Sequence, residues 1–350
     1  MLALTLVLAF VASVLFTPLV KRLAFRLGAV DTPNHRKVHA RIMPRLGGLA
    51  IFFAFLVAFA FYRPDGEYDK AMLLGALIII ITGVLDDMFE ITAKAKLLGQ
   101  LLAAGSIVIY GGLQIEFINL PFGIFGGQLE FGYFAIPLTI LWIIGITNAV
   151  NLIDGLDGLA AGVSAIALIT LSGVAIMMGN PFVAAMAAIL AASTLGFLVF
   201  NFYPAKIFMG DTGALFLGFM ISVLALLGFK NVTVVALIIP IIVLGVPISD
   251  TFFAIVRRIR MKQPLSAPDK SHLHHCLLNV GFTHRQSVLI IYAIAAMFGI
   301  AAIIFSQSTV WGAIILLMVM LLAIELFVEA IGLAGKNYRP LINFVKMIGK

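Results

Sequence analysis

The chain has 350 residues, 62% of them hydrophobic and 11% charged, with a formal net charge of +7 and a mean hydropathy of +1.14. A water-soluble domain carries about 25% charged residues, so a soluble protein is excluded, and continuous apolar runs in place of in-out alternation exclude a membrane β-barrel. The positive balance is read as loop charge bias in a membrane protein, so the lipid bilayer is an expected partner and nucleic acid is not.

A bilayer span needs about 20 mostly apolar residues. By that measure the sequence predicts an all-α polytopic membrane protein forming a single integral domain over 1–350, with about eleven transmembrane helices near 1–20, 46–62, 71–86, 97–111, 134–150, 159–178, 182–200, 213–229, 232–252, 287–306 and 309–330. The first segment has no positive leader region and no small-residue cleavage site, so it reads as a span rather than a signal peptide. Of the 23 Lys and Arg residues, all but Arg63, Lys70 and Lys230 fall in alternate loops or in the tail. The positive-inside rule makes that side cytoplasmic, which puts the N-terminus outside and the C-terminus inside. The outer segment 112–133 alternates weakly around Gly126-Gly127 and predicts a small β-hairpin. Cys276 is the sole cysteine and can form no internal disulfide.

The loops assigned to the cytoplasmic face (21–45, 86–96, 148–158, 201–213 and 253–286) hold the groups able to do chemistry. In the first, Arg36-Lys37-Val-His39 and Pro44-Arg45-Leu-Gly47-Gly48 read mainly as positive-inside charge on an ordered loop. Asp86-Asp87 ends the third span. Neighbouring helical residues point about 100° apart, so the two acids are expected to serve different purposes, or else form a solvated helix end. Acids there oppose the helix dipole, and Lys94 and Lys96 follow within reach of a phosphate.

Asn148-Ala-Val-Asn151-Leu-Ile-Asp154-Gly-Leu-Asp157-Gly joins two apolar runs. Polar groups at such a place are costly unless they act. In a continuous helix these four residues would drift by about 60° per step. Gly155 and Gly158 instead predict a turn that brings Asp157 back. Phe208-Met-Gly-Asp211-Thr-Gly precedes another span. Asp211 there is either a helix N-cap or a Mg²⁺ ligand beside amides free to meet a phosphate. His272-Leu-His274-His275 lies in a basic loop. Its spacing does not match zinc sites, and with Arg257, Arg258 and Lys270 it fits a diphosphate better than a metal. Asp250 is expected to pair with Arg257 or Arg258.

Acids for a divalent cation, cations for phosphates and a hydrophobic matrix converge on one face. That combination suits phosphoryl transfer between a soluble nucleotide and a lipid acceptor. A proton-coupled transporter would need its acids near the bilayer midplane.

With these motifs the chain resembles the polyprenyl-phosphate N-acetylhexosamine-1-phosphate transferase superfamily, from Asp31 to about Phe282. Its histidine segment, Ser266-Ala-Pro-Asp-Lys-Ser-His272-Leu-His274-His275, is similar to that of the bacterial branch using UDP-N-acetylglucosamine (UDP-GlcNAc) and undecaprenyl phosphate. The resemblance implies an enzyme that transfers GlcNAc-1-phosphate, releases UMP and starts teichoic acid, O-antigen or a related surface polymer. The alternatives are another UDP-amino sugar, such as UDP-MurNAc-pentapeptide, or a membrane transporter. It further implies Mg²⁺, with Mn²⁺ as a substitute, held by Asp211 and Asn151. Asp154, Asp157 and Asn148 would bind the nucleotide, and Asp86 and Asp87 would serve the acceptor phosphate and the metal region. His272, His274, His275 and Arg257 would meet the diphosphate and sugar. Relatives often carry a lysine three residues after the second acid. Glu90 stands there, so the role passes to Lys96. The setting implied is the cell membrane, active on the cytoplasmic face, and a homodimer is compatible with it.

Overall fold

In the computed structural model, which describes residues 1–31, 42–119, 127–229, 234–264, 271–333, 338, 340, 341, 343 and 347, helices account for nearly all regular structure. In chain order they are α1 (Leu2–Leu27), α2 (Gly48–Tyr62), α3 (Asp69–Phe89), α4 (Ala93–Gly105), α5 (Ala135–Leu152), α6 (Leu159–Met177) and α7 (Pro181–Asn201). After these come α8 (Gly210–Phe229), α9 (Val234–Val243), α10 (Gly245–Arg260), α11 (Leu273–Val280), α12 (His284–Ser306) and α13 (Val310–Ile331). Over the described residues every predicted apolar segment is largely helical. Among the described residues eight helices are long and apolar enough to cross a membrane. The protein is therefore a multi-pass membrane protein.

The remaining segments depart from plain spans. Helix α2 has 15 residues, and α4 has 13 before continuing as a π turn, Ser106–Tyr110. Segment 232–252 is not one helix: α9 and α10 meet at Leu244. Pro247 supplies the reason, because it has no N–H to offer the carbonyl four residues back and its ring crowds the same group. Helix α11, in the histidine loop, was not anticipated; it closes at Gly281.

Two small antiparallel ladders complete the chain. Strands β1 (Val30–Asp31) and β2 (Met43–Pro44) pair beside the first loop. Strands β3 (Phe117–Asn119) and β4 (Gln128–Glu130) form the predicted hairpin, with Ile118 opposite Leu129.

Helix α8 is the axis of the bundle: 94% of its apolar window is buried, against 11% for α13. It packs on α3, α5 and α2, while α6 packs on α7 and α12. Lipid tails are as apolar as leucine, so helices in a bilayer are joined by close packing rather than by exclusion of water. The buried run Ala160, Ala161, Gly162, Ser164, Ala165 and Ala167 on α6 gives its neighbours that closeness. The outer face of α13 leaves Trp311, Ile315, Met318 and Leu322 exposed, as lipid contact requires.

Candidate active site

The N-terminus of α8 sets the site. Gly210 lies at φ 70°, and a Cβ on it would collide with the Asp87 carboxylate and the Arg45 carbonyl. Across that gap Asp87 accepts hydrogen bonds from the backbone N–H of Asp211 (3.0 Å), the N–H of Thr212 (2.9 Å) and the Thr212 hydroxyl (2.7 Å). Asp87, from α3, thus caps α8, and Asp211 is released from the capping role open to it in the sequence. The same bonds use two of the amides that a phosphate would otherwise meet.

Asp86, one residue earlier, turns another way. Lys96 Nζ lies 2.5 Å from both Asp86 Oδ2 and Asp211 Oδ2. Asn151 Nδ2 donates to the other Asp211 oxygen at 2.6 Å. Three helix ends and the start of α4 therefore meet on one carboxylate. The two adjacent acids do have different partners. Arg45 Nε stands 3.7 Å from Asp87. Burial works against its charge, but the carboxylates of Asp87, Asp31 and Asp211 outweigh this and raise its pKa.

Beyond Asn151 the chain turns as anticipated: the N–H of Asp154 bonds to the Asn151 carbonyl at 3.2 Å and that of Gly155 to the Ile153 carbonyl at 2.8 Å. Gly158 takes φ 77°. Gly155 serves differently, since a Cβ there would overlap the His274 imidazole. Its bare backbone lets the histidine loop close on the turn. Asp157 Oδ2 accepts from the N–H of Ala205 (2.9 Å).

The three histidines of α11 and its cap are also separated in role. His272 Nδ1 lies 2.8 Å from Asp250 Oδ2, and Asp250 Oδ1 accepts the Leu273 N–H at 2.8 Å. Asp250 therefore pairs with His272 and caps α11, correcting the expectation of Arg257 or Arg258. The His272 and His274 rings lie parallel within 3°, and His274 and His275 centroids are 4.2 Å apart. Burial first, then His275, pulls His274 down to about 3. At neutral pH it offers hydrogen bonds but no charge.

These groups border a cavity of about 520 Å³ lined by Asp31, Arg45, Asn151, Asp154, Asp157, Tyr203, Phe208, Asp211, His274, His275 and His284, among others. Asp86 and Lys96 stand behind Asp211 rather than on its wall. Three predicted residues lie elsewhere: His272 is buried on Asp250 and is not on the cavity wall. The Asn148 amide is paired reciprocally with Gln100 (3.0 and 2.8 Å), and Arg257 is buried with Nη1 on the Leu333 carbonyl at 2.6 Å. Arg36, Lys37, His39 and the stretch 265–270, with Ser266 and Lys270, lie outside the described residues. Sequence reasoning missed Arg45 as a site group, and also Tyr203 and His284. The one available signal was Thr283-His-Arg-Gln286, a capping box that marks where α12 starts.

No described residue hydrogen-bonds the Asp154 carboxyl, which is pushed up to about 8 by burial and then by the charges of Asp211 and Asp87. Its ordinary value is 3.8. Between the two, the folded protein keeps a proton that the unfolded chain has lost, so stability falls as pH rises through that window. Thermal midpoints measured without divalent cations from about pH 5 to about pH 9 should decline in the parent and decline less in Asp154→Asn. Equal slopes would refute this.

Among the described residues no three His, Cys, Asp or Glu form a metal-binding group. Mg²⁺, however, is usually held by one or two carboxylates, with water and substrate phosphates completing its shell. Asp211, the Asp154 carboxyl with no hydrogen bond from a described residue, and the side-chain oxygen of Asn151, all from residues on the cavity wall, are hard donors of that kind, and they fit it.

The family described as glycosyl transferase family 4 matches residues 70–229. A Bacillus subtilis protein, a probable undecaprenyl-phosphate N-acetylglucosaminyl 1-phosphate transferase, is 48% identical over 99% of this chain and 97% of its own. The decaprenyl-phosphate N-acetylglucosaminephosphotransferase of Mycobacterium tuberculosis is 33% identical, covering 92% and 87%. The undecaprenyl-phosphate alpha-N-acetylglucosaminyl 1-phosphate transferase of Escherichia coli K12 is 27% identical, covering 98% and 93%.

Proposed function

Because this chain belongs to glycosyl transferase family 4, we propose that it transfers GlcNAc-1-phosphate from UDP-GlcNAc to undecaprenyl phosphate, releasing UMP. The observation that carries the reading is Asp211, held between Lys96 and Asn151 on the wall of a cavity large enough for a nucleotide sugar. The loops around it carry the excess of Lys and Arg, which supports a cytoplasmic active face in the cell membrane.

A phosphate monoester has a second pKa near 6, so the acceptor is a nucleophile at neutral pH without a general base. Its oxygen attacks the donor β-phosphorus, a new P–O bond forms, the bond to the bridging oxygen breaks, and UMP leaves with that electron pair. Repulsion between the two anions is the main obstacle, and Arg45 and Lys96 are the described cations placed to reduce it. Mg²⁺, or Mn²⁺ in its place, held by Asp211 and Asn151 with Asp154 beside them, would supply further charge neutralisation. A carboxyl that keeps its proton until a cation arrives suits that role, because metal binding releases protons. Direct attack is favoured over an aspartyl-phosphate intermediate because Asp87 is occupied by three donors and Asp86 by Lys96. The lipid product would start a teichoic acid, O-antigen or related surface polymer.

The test offers purified protein UDP-GlcNAc, UDP-GalNAc and UDP-MurNAc-pentapeptide in parallel, with undecaprenyl phosphate. UMP should appear with the first, should require the lipid, and should vanish on chelation. Asp211→Asn should lower the rate by about 10²-fold or more. Turnover with only the pentapeptide donor would refute the sugar assignment, and lipid-independent release would refute the reaction.

A further inference from the structure

His284, at the first turn of α12, has appeared above only within the capping box that starts that helix. Its Nε2 accepts the backbone N–H of Asp157 at 3.0 Å. A ring nitrogen that accepts an amide proton carries none of its own, so the neutral imidazole keeps its hydrogen on Nδ1. No described residue accepts from that Nδ1–H, and His284 lines the cavity. The ring is held by a tilted stack on Tyr203, centroids 4.6 Å apart and planes at 32°. Tyr292 of the same helix donates to the Gly158 carbonyl at 2.5 Å, so α12 is fixed to the turn at two points.

Asp157 completes the pattern. Its Oδ2 is used by Ala205, while Oδ1 has no donor among the described residues. The chain thus presents to the cavity one free acceptor and one free donor, attached to groups in direct contact. Asp154, which lines the same cavity, has both Asp211 and Asp157 among its electrostatic neighbours.

We propose that His284 is a base-reading residue: its Nδ1–H donates to the uracil C4 carbonyl while Asp157 Oδ1 accepts the ring N3–H. Uracil carries an N3–H beside its carbonyls. Cytosine has an acceptor at N3 and an amino donor at C4, so its edge would set lone pairs against the carboxylate and N–H against N–H. A site built to hydrogen-bond one pattern rejects the other strongly, because the buried partners are left unpaired. This inference rests on the nucleotide-sugar transferase reading and adds to it the residue that selects the base.

The experiment measures the affinity of the full-length, detergent-purified protein for UMP and CMP. The parent should prefer UMP by about tenfold or more. His284→Phe keeps a ring against Tyr203 but removes the donor; it should weaken UMP by about 3- to 10-fold and leave CMP unchanged. His284→Asn, whose amide nitrogen can occupy the Nδ1 position, should restore much of the preference. Equal weakening of both nucleotides in His284→Phe, or an unchanged ratio, would overturn the assignment. If the parent still releases UMP from UDP-GlcNAc in that case, the transferase reading stands without it. A parent that neither binds UMP nor turns over would remove both.

Discussion

Replacing Lys96 with methionine is expected to cost about 2–3 kcal/mol of stability and to reduce transfer to background. Its ammonium sits 2.5 Å from two carboxylates that have little access to water, with side chains 10% and 22% exposed for Asp86 and Asp211. Removing one partner of a buried charge cluster strands the others, at about 3–5 kcal/mol when burial is complete. The partial exposure here places the effect near the lower end. The decisive comparison adds Asp86→Asn to Lys96→Met, which removes one stranded anion. The double variant should recover part of the lost thermal midpoint. Groups in one network couple by about 0.5–3 kcal/mol, so simple additivity would show that Lys96 does not hold the two acids together.

Asp87→Ala should be at least as damaging to the fold. Three donors at the start of the most buried helix lose their acceptor. Each unsatisfied buried donor costs about 1–3 kcal/mol, so a loss of about 3 kcal/mol or more is expected. Asp87→Asn retains one acceptor oxygen and should lose roughly half as much. Activity should fall in step with stability in both, since Asp211 takes its position from the first turn of α8. A stable Asp87→Ala protein with no activity would instead make Asp87 a direct participant.

Hydropathy made the bundle legible because a bilayer demands long apolar runs, and all of those runs became helix. Counting Lys and Arg grouped Asp86, Asn151, Asp154, Asp157 and Asp211 on one face, and the structure brings these five to a common site. Which residue touches which was not legible. Asp87 caps a helix more than 120 residues away, and no local pattern announces a cap supplied by another element. Asn148 looked like part of the site because it shares a motif with Asn151. Three residues of helix turned it away, onto Gln100. Arg257 was read from its charge alone, whereas its surroundings assign it to a helix end. His284 was invisible because its meaning depends on a hydrogen bond to the Asp157 backbone.

The lining of the cavity has a consequence for the order of events. Among the described residues it contains three carboxylates (Asp31, Asp157 and Asp211), the carboxyl of Asp154 that keeps its proton, and one guanidinium, that of Arg45. The amides of Asp211 and Thr212 at the start of α8, which could have welcomed an anion, are already given to Asp87. An anionic donor approaching this surface meets a field of its own sign. A divalent cation arriving first reverses that field, so loading should be sequential: cation, then nucleotide sugar, with cation concentration felt in the apparent affinity for the donor as well as in turnover.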